Sequence, residues 1–404
     1  MHLTHPSQIF EERTRLDRLG RIAARWSGIV GLASLGLTIV WSLYSAGGLD
    51  HFYHSYLTSF CYFLSLSLGA LFFVMLQHLT RAAWSVAVRR IAEIVAASVP
   101  LFAILFIPIL FGLTTLYHWT DGEAAAHDPL LQSKSPYLNS AFFLVRCVFY
   151  FACWWILSRY LFARSLQQDK SGDPSLTLKM EKVSAPGMIL FALTLTFAAF
   201  DWLMSLDAHW YSTIYGVYYF AGSAVGFLAL LTILCFLLQR SGRLTNVITI
   251  EHYHDLGKLL FAFIFFWAYI AFSQYLLIWY ANIPEETAWY LKRQEGPWLW
   301  ISLLLLFGHF IIPFLGLLSR YPKRRKTILA GWAAWMLIMH WIDLYWLVMP
   351  EFSRGRIPFH VIDLGCLLGI GGLFLATIAY IARGRSLAPL RDPRLGDSLT
   401  FENA

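Results

Sequence analysis

STIYGVYYFAGSAVGFLALLTILCFLLQ, residues 212–239, contains no Asp, Glu, Lys or Arg. A helix of that length crosses the ~30 Å hydrocarbon core of a bilayer at ~1.5 Å per residue. Nine other segments read the same way: 21–45, 52–78, 91–117, 137–162, 185–206, 256–281, 298–319, 328–350 and 361–383. Basic residues gather on alternate sides of them. One side carries Arg13, Arg15, Arg18 and Arg21, then Arg81, Arg89 and Arg90, then Arg164, Lys170, Lys179 and Lys182. Arg240, Arg243 and Lys258, the run Arg320 to Lys326, and Arg383, Arg385, Arg391 and Arg394 complete that side. The other holds only Lys134, Lys292, Arg293, Arg354 and Arg356. By the positive-inside rule both termini are cytoplasmic. The fold class is therefore an all-α polytopic membrane protein, with a cytoplasmic segment 1–20, a ten-helix domain 21–383 and a cytoplasmic tail 384–404.

Composition agrees. Hydrophobic residues make up 58%, charged residues 14%, and mean hydropathy is +0.57, against ~25% charged in ordinary soluble domains. The net charge of +7 lines the cytoplasmic rim, where anionic headgroups attract it, and is no nucleic-acid signal. The first apolar segment exceeds the ~7–15 residues of a signal peptide's apolar region and is expected to remain as a span. The cysteines (Cys61, Cys147, Cys153, Cys235, Cys366) all lie inside spans without C-x-x-C spacing. They read as apolar filler rather than as ligands of zinc, an iron–sulfur cluster or covalent haem.

The longest cytoplasmic connection, 163–184 (ARSLQQDKSGDPSLTLKMEKVS), reads as polar and flexible, and divides the spans four plus six. Two four-helix bundles, the second to fifth and the sixth to ninth helices, are the expected packing, with the first and last flanking them. Gly222–Gly226 and Gly365–Gly369 have the G-x-x-x-G spacing of close helix approach, and Pro100, Pro108 and Pro313 are expected kinks. Trp and Tyr crowd the interfaces, as in Trp279, Tyr280, Trp289 and Tyr290.

Ionisable groups inside a span cost at least ~2.5–3.5 kcal/mol if they face lipid, so deep ones face protein or water. Arg146, Asp201, Gln274, His340 and Asp343 fall roughly 7–14 Å below the external surface at ~1.5 Å per residue, with Ser205 one turn beyond Asp201. His309 lies nearer the centre. Arg146 is placed to neutralise Asp201 or Asp343, and His340 and Asp343, spaced i, i+3, share a helix face. This outer layer is either an ion-pair network fixing registry or a proton-handling or headgroup site. An inner set comprises His78, Glu93, Arg159 and the run containing His254, Asp255 and Lys258; solvated interfacial charge is its simpler reading. Together the two sets resemble half-channels. No span holds two deep histidines, so only His309 with His340 offers a pair for a single haem, and no nucleotide loop is present.

The stretches FDWLMSLDAHWYSTIYGVYYFAGS (200–223) and HDLGKLLFAFIFFWAYIAFSQYLLIWYANIPEE (254–286) resemble one family. It is the second NrfD-like, polysulfide-reductase-type membrane subunit of bacterial alternative complex III, a quinol:cytochrome c oxidoreductase. The resemblance implies a multi-pass place in the bacterial inner membrane beside a sister NrfD-like ten-helix subunit and small membrane subunits. Extracytoplasmic multihaem cytochrome c and iron–sulfur subunits would carry the electrons, with a terminal oxidase as a further partner. This chain would bind no cofactor of its own beyond quinol, and would serve proton passage or quinone-side structure. Carried over, the motif blocks make Asp201, His209, Tyr215, His254, Asp255, Lys258, Ser273 and Gln274 candidates. A secondary transporter with broken helices around a central site and a purely architectural subunit are the competing readings.

Overall fold

The computed structural model describes residues 13–45 and 47–403. Residues 1–12 of the N-terminal segment and Ala404 of the tail lie outside the described residues. Among the described residues, ten helices are long and apolar enough to cross a membrane: α1 Asp17–Tyr44, α2 Gly48–Leu79, α3 Val86–Phe111, α4 Ser140–Ser171, α5 Ser175–Leu206, α6 Tyr215–Arg240, α7 Ile250–Ala281, α8 Trp298–Leu318, α9 Lys326–Phe352 and α10 Val361–Ala382. The chain is a multi-pass, all-helical membrane protein, with no strand among the described residues. An even number of crossings puts both described chain ends on one face, called here the basic face.

Helices α2 to α5 form one bundle and α6 to α9 a second, with α1 and α10 packed on each other at the flank. The bundles meet where α2 packs against α6 and α9, so α2 is enclosed along most of its length. Lipid is as apolar as leucine, so close packing and polar contacts hold such helices together. At the α1–α10 crossing, a Cβ on Gly372 would lie 2.7 Å from the Gly31 Cα, and Ser34 donates to the Gly365 carbonyl at 3.0 Å. Only glycine permits that approach.

Proline breaks two helices where the sequence anticipates it. α3 is divided into Val86–Ala96, Val99–Leu105 and Ile107–Phe111, with Pro100 and Pro108 in the first turns of the later pieces. In α8, Pro313 has no N–H for the His309 carbonyl, and its ring crowds that carbonyl. The chain responds with a π-helical turn over Leu305–Ile311.

The connection 163–184, expected as a polar loop, is almost wholly helical. α4 runs on to Ser171 and α5 begins at Ser175, leaving a three-residue turn in which Gly172 takes φ 69°. Gln168 donates to Thr177 at 2.7 Å, and Arg90 donates to Asp169 at 2.6 Å. These contacts hold the polar helix ends above the apolar band. The tail also folds back. Asp392 meets Arg89, and Arg394 donates to Glu181 at 2.5 Å.

Candidate functional site

Among the described residues, two polar clusters inside the spans gather candidates named from the sequence. The first joins α4 to α5. Arg146 donates from Nε and Nη2 to the two Asp201 oxygens at 2.8 and 2.9 Å, and from Nη1 to the Tyr137 carbonyl at 2.9 Å. Its guanidinium lies 3.9 Å over the Tyr137 ring, and the Tyr150 hydroxyl donates to Asp201 at 2.8 Å. Ser205 donates to the Asp201 backbone carbonyl at 2.6 Å. Of the two acids the spacing offered Arg146, the structure gives it Asp201.

The second cluster lies between α6, α7, α8, α9 and α2. His340 and Asp343 project from one face of α9, and the π turn of α8 brings His309 to meet them. One ligating atom from each of the three lies within 4.8 Å of the others, and all three residues are buried. The Tyr218 hydroxyl donates to one Asp343 oxygen, and Trp267 Nε1 to the other at 3.2 Å. The His309 ring is stacked on Trp267 with centroids 3.8 Å apart. Tyr218, Gly222 and Gly226 share one face of α6 at i, i+4, i+8. A Cβ on Gly226 would come within 2.6 Å of His340 Cδ2, so the glycine pair seats the imidazole.

The Nε2–H tautomer of His340 satisfies both contacts of Ser65. The Ser65 hydroxyl donates to the Tyr62 carbonyl at 2.7 Å, so its oxygen accepts from His340 Nε2 at 2.7 Å. His340 Nδ1 is then a bare acceptor. It has no hydrogen-bond partner among the described residues, nor has either ring nitrogen of His309. Buried polar atoms left this way are uncommon and expensive. The atom types suit a transition metal as well as a proton, but both Asp343 oxygens and His340 Nε2 already have partners.

Other sequence candidates lie apart. His209 is mostly exposed and meets Asp128 at 2.6 Å. Burial alone would raise the Asp128 carboxyl, but bonds from His209 and from the Leu131 and Leu130 amides hold it below its usual value. Tyr215 is buried and stacked on Tyr218, while Gln274 is buried with its Oε1 unpartnered and Ser273 is half-buried. In the inner set, Glu93 is enclosed between Arg89 at 3.3 Å and Arg90 at 2.8 Å. His78 is buried with both nitrogens unpartnered, His254 is buried, Asp255 contacts Lys258, and Arg159 is exposed.

On the face opposite the basic one, the helix Pro284–Gln294 inserts Arg293, which is fully buried over the Trp289 ring at 3.5 Å. Burial holds this guanidinium below its ordinary value, partly offset by Glu351 at 3.5 Å. Beside it, a lateral cavity of about 780 Å³ opens between α7 and α8 and is lined at depth by Tyr218, Trp267 and Arg293. Sequence reading missed Tyr218, Trp267 and Ser65. The Tyr218–Gly222–Gly226 face was the available signal. No protein-family model matches this sequence, and no curated protein matches it either.

Proposed function

We propose that this chain is the cofactor-free membrane subunit of a quinol-oxidising, NrfD-like respiratory complex in a bacterial inner membrane, and that His309, His340 and Asp343 form its proton-handling site. The observation that carries the reading is the state of the second cluster: a buried carboxylate with only neutral donors, beside three imidazole nitrogens without partners. A bare carboxylate in a low-dielectric interior is strongly disfavoured, so the three groups share an exchangeable proton to balance it. Asp343 takes the proton at a carboxylate oxygen, and His309 or His340 Nδ1 passes it on. Their separation is spanned by one side-chain adjustment or one water.

The lateral cavity supports the quinone-side part of the proposal. Its volume lies within the ~300–1,000 Å³ of small-molecule sites, and two of its lining residues, Tyr218 and Trp267, are the donors to Asp343. A quinol ring there would be one hydroxyl away from the cluster. Electrons would leave through haem c and iron–sulfur clusters in partner subunits.

The test is reconstitution of the purified complex containing this chain, with quinol turnover and proton release measured together. Asp343→Asn and His309→Gln should each lower proton release per turnover or turnover itself at least tenfold, with assembly unchanged. Normal turnover and proton release in both variants would reduce the cluster to packing. Stoichiometric Zn²⁺ retained through chelator washes would replace the proton reading with a metal centre. Purification without haem-bearing partners, together with solute uptake by the chain alone, would favour a transporter.

A further inference from the structure

We infer that a second lateral groove, between α3, α4 and α10, binds an anionic phospholipid, its phosphodiester held by Arg159 and Arg385 and one acyl chain laid between α3 and α4. Two cavities make up the groove. One, of about 280 Å³, lies toward the basic face and is lined by Arg159, Arg385, Ser158 and Phe162. The other, of about 360 Å³, is lined almost wholly by apolar side chains, including Ala103, Phe106, Leu110 and Leu144. They share Pro100 and Trp155, so they adjoin. The break in α3 before Pro100 is what parts the helices at the junction.

The polar end asks for an anion. Arg159 is exposed and has no ion pair or hydrogen bond among the described residues, whereas the buried Arg89 and Arg90 meet carboxylates. Among the described residues the Arg385 side chain donates only to the Ile381 carbonyl, with its guanidinium over the Phe162 ring at 5.7 Å. No carboxylate lines either cavity. Two guanidinium groups lining one cavity at the edge of the apolar band suit the charge of a phosphodiester and leave a surplus positive charge. That surplus repels the ammonium of a zwitterionic headgroup, so the site selects lipids of net negative charge.

The apolar end asks for a chain of one leaflet's depth. From Trp155 to Leu144 along α4 is eleven residues, or ~16 Å at ~1.5 Å each, which is half of the ~30 Å hydrocarbon core. A protein partner's side chains would not need that uninterrupted apolar run, and a free phosphate would not use it at all. The inference is independent of the proton-handling proposal, since none of these residues belongs to that cluster.

Native mass spectrometry of the full chain, within its complex, from mixed micelles of dioleoyl phosphatidylglycerol and dioleoyl phosphatidylcholine tests it. One phosphatidylglycerol should be retained per chain in at least tenfold preference to phosphatidylcholine. Arg159→Gln with Arg385→Gln should abolish the preference. Ala103→Trp, which fills the tail groove from the lipid-facing side, should lower retention of both lipids at least tenfold. Soluble glycerophosphoglycerol should not compete. Equal retention of the two lipids, a preference that survives the double arginine variant, or displacement by the soluble headgroup would each overturn the inference. All these side chains lie at the surface of the bundle, and unchanged thermal unfolding of the variants confirms that lipid binding alone is being read.

Discussion

Asp201, in the first bundle, and Asp343, in the second, are equally shut off from solvent, yet only Asp201 meets a guanidinium. Asp201 receives two charge-assisted bonds from Arg146 and a third from Tyr150, which leaves the pair neutral and its geometry fixed. Asp343 receives two neutral donors and lies against histidines with nitrogens to spare. The difference separates two uses of buried charge. A saturated pair holds helices in register, whereas an undersaturated cluster is what the proposed proton exchange requires.

The comparison can be broken most forcefully at the saturated pair. Arg146→Met strands the Asp201 carboxylate and should cost about 3–5 kcal/mol in equilibrium unfolding in detergent, while Arg146→Met with Asp201→Leu should recover most of that loss. If the single variant is as stable as the parent, Asp201 is not held by this pair and the contrast collapses. Next in size is Gly226→Val, which forces the His340 ring out of its seat. A stability loss of about 1–3 kcal/mol is expected by the same measurement, together with impaired proton release. Tyr218→Phe removes one neutral donor from Asp343 and should cost about 1 kcal/mol, with a larger effect on proton release than on stability.

The smallest effect lies outside the membrane. Lys292 bridges Asp207 at 2.5 Å and Glu351 at 3.1 Å. Burial would raise the Asp207 carboxyl, but Lys292 and the His209 amide together hold it below its ordinary 3.8. A depressed folded value stabilises above the unfolded value and is lost as pH falls through the folded one. The clamp should therefore be complete at neutral pH and loosen only below 3.8. Hydrogen exchange over residues 204–214, corrected for intrinsic rates, should show this, and Lys292→Met should loosen the segment at pH 7 by less than ~1 kcal/mol.

Ten spans were legible because each is a run of apolar residues bounded by charge, and the proline breaks because a missing N–H acts locally. The ends of α4 and α5 were not, since a polar helix that leaves the bilayer has the composition of a loop, and only contacts such as Gln168–Thr177 reveal its order. The Arg146–Asp201 pairing was half legible. Depth gave the candidates, but the choice between two acids depends on which helices adjoin. Tyr218 and Trp267 escaped notice because aromatics near a membrane surface usually anchor in lipid. His309 is a subtler case: the π turn adds a residue to the helical repeat, so a 3.6-residue wheel does not give its true direction.

His340 sits close against Gly222 and Gly226, and Ser65 bonds its Nε2. His309 is buried with its face on Trp267, and because neither nitrogen has a hydrogen-bond partner among the described residues, exchanging the two breaks no hydrogen bond. The two imidazoles thus differ in anchorage: one is tied to α2 through a hydrogen bond, the other rests by its face on an indole.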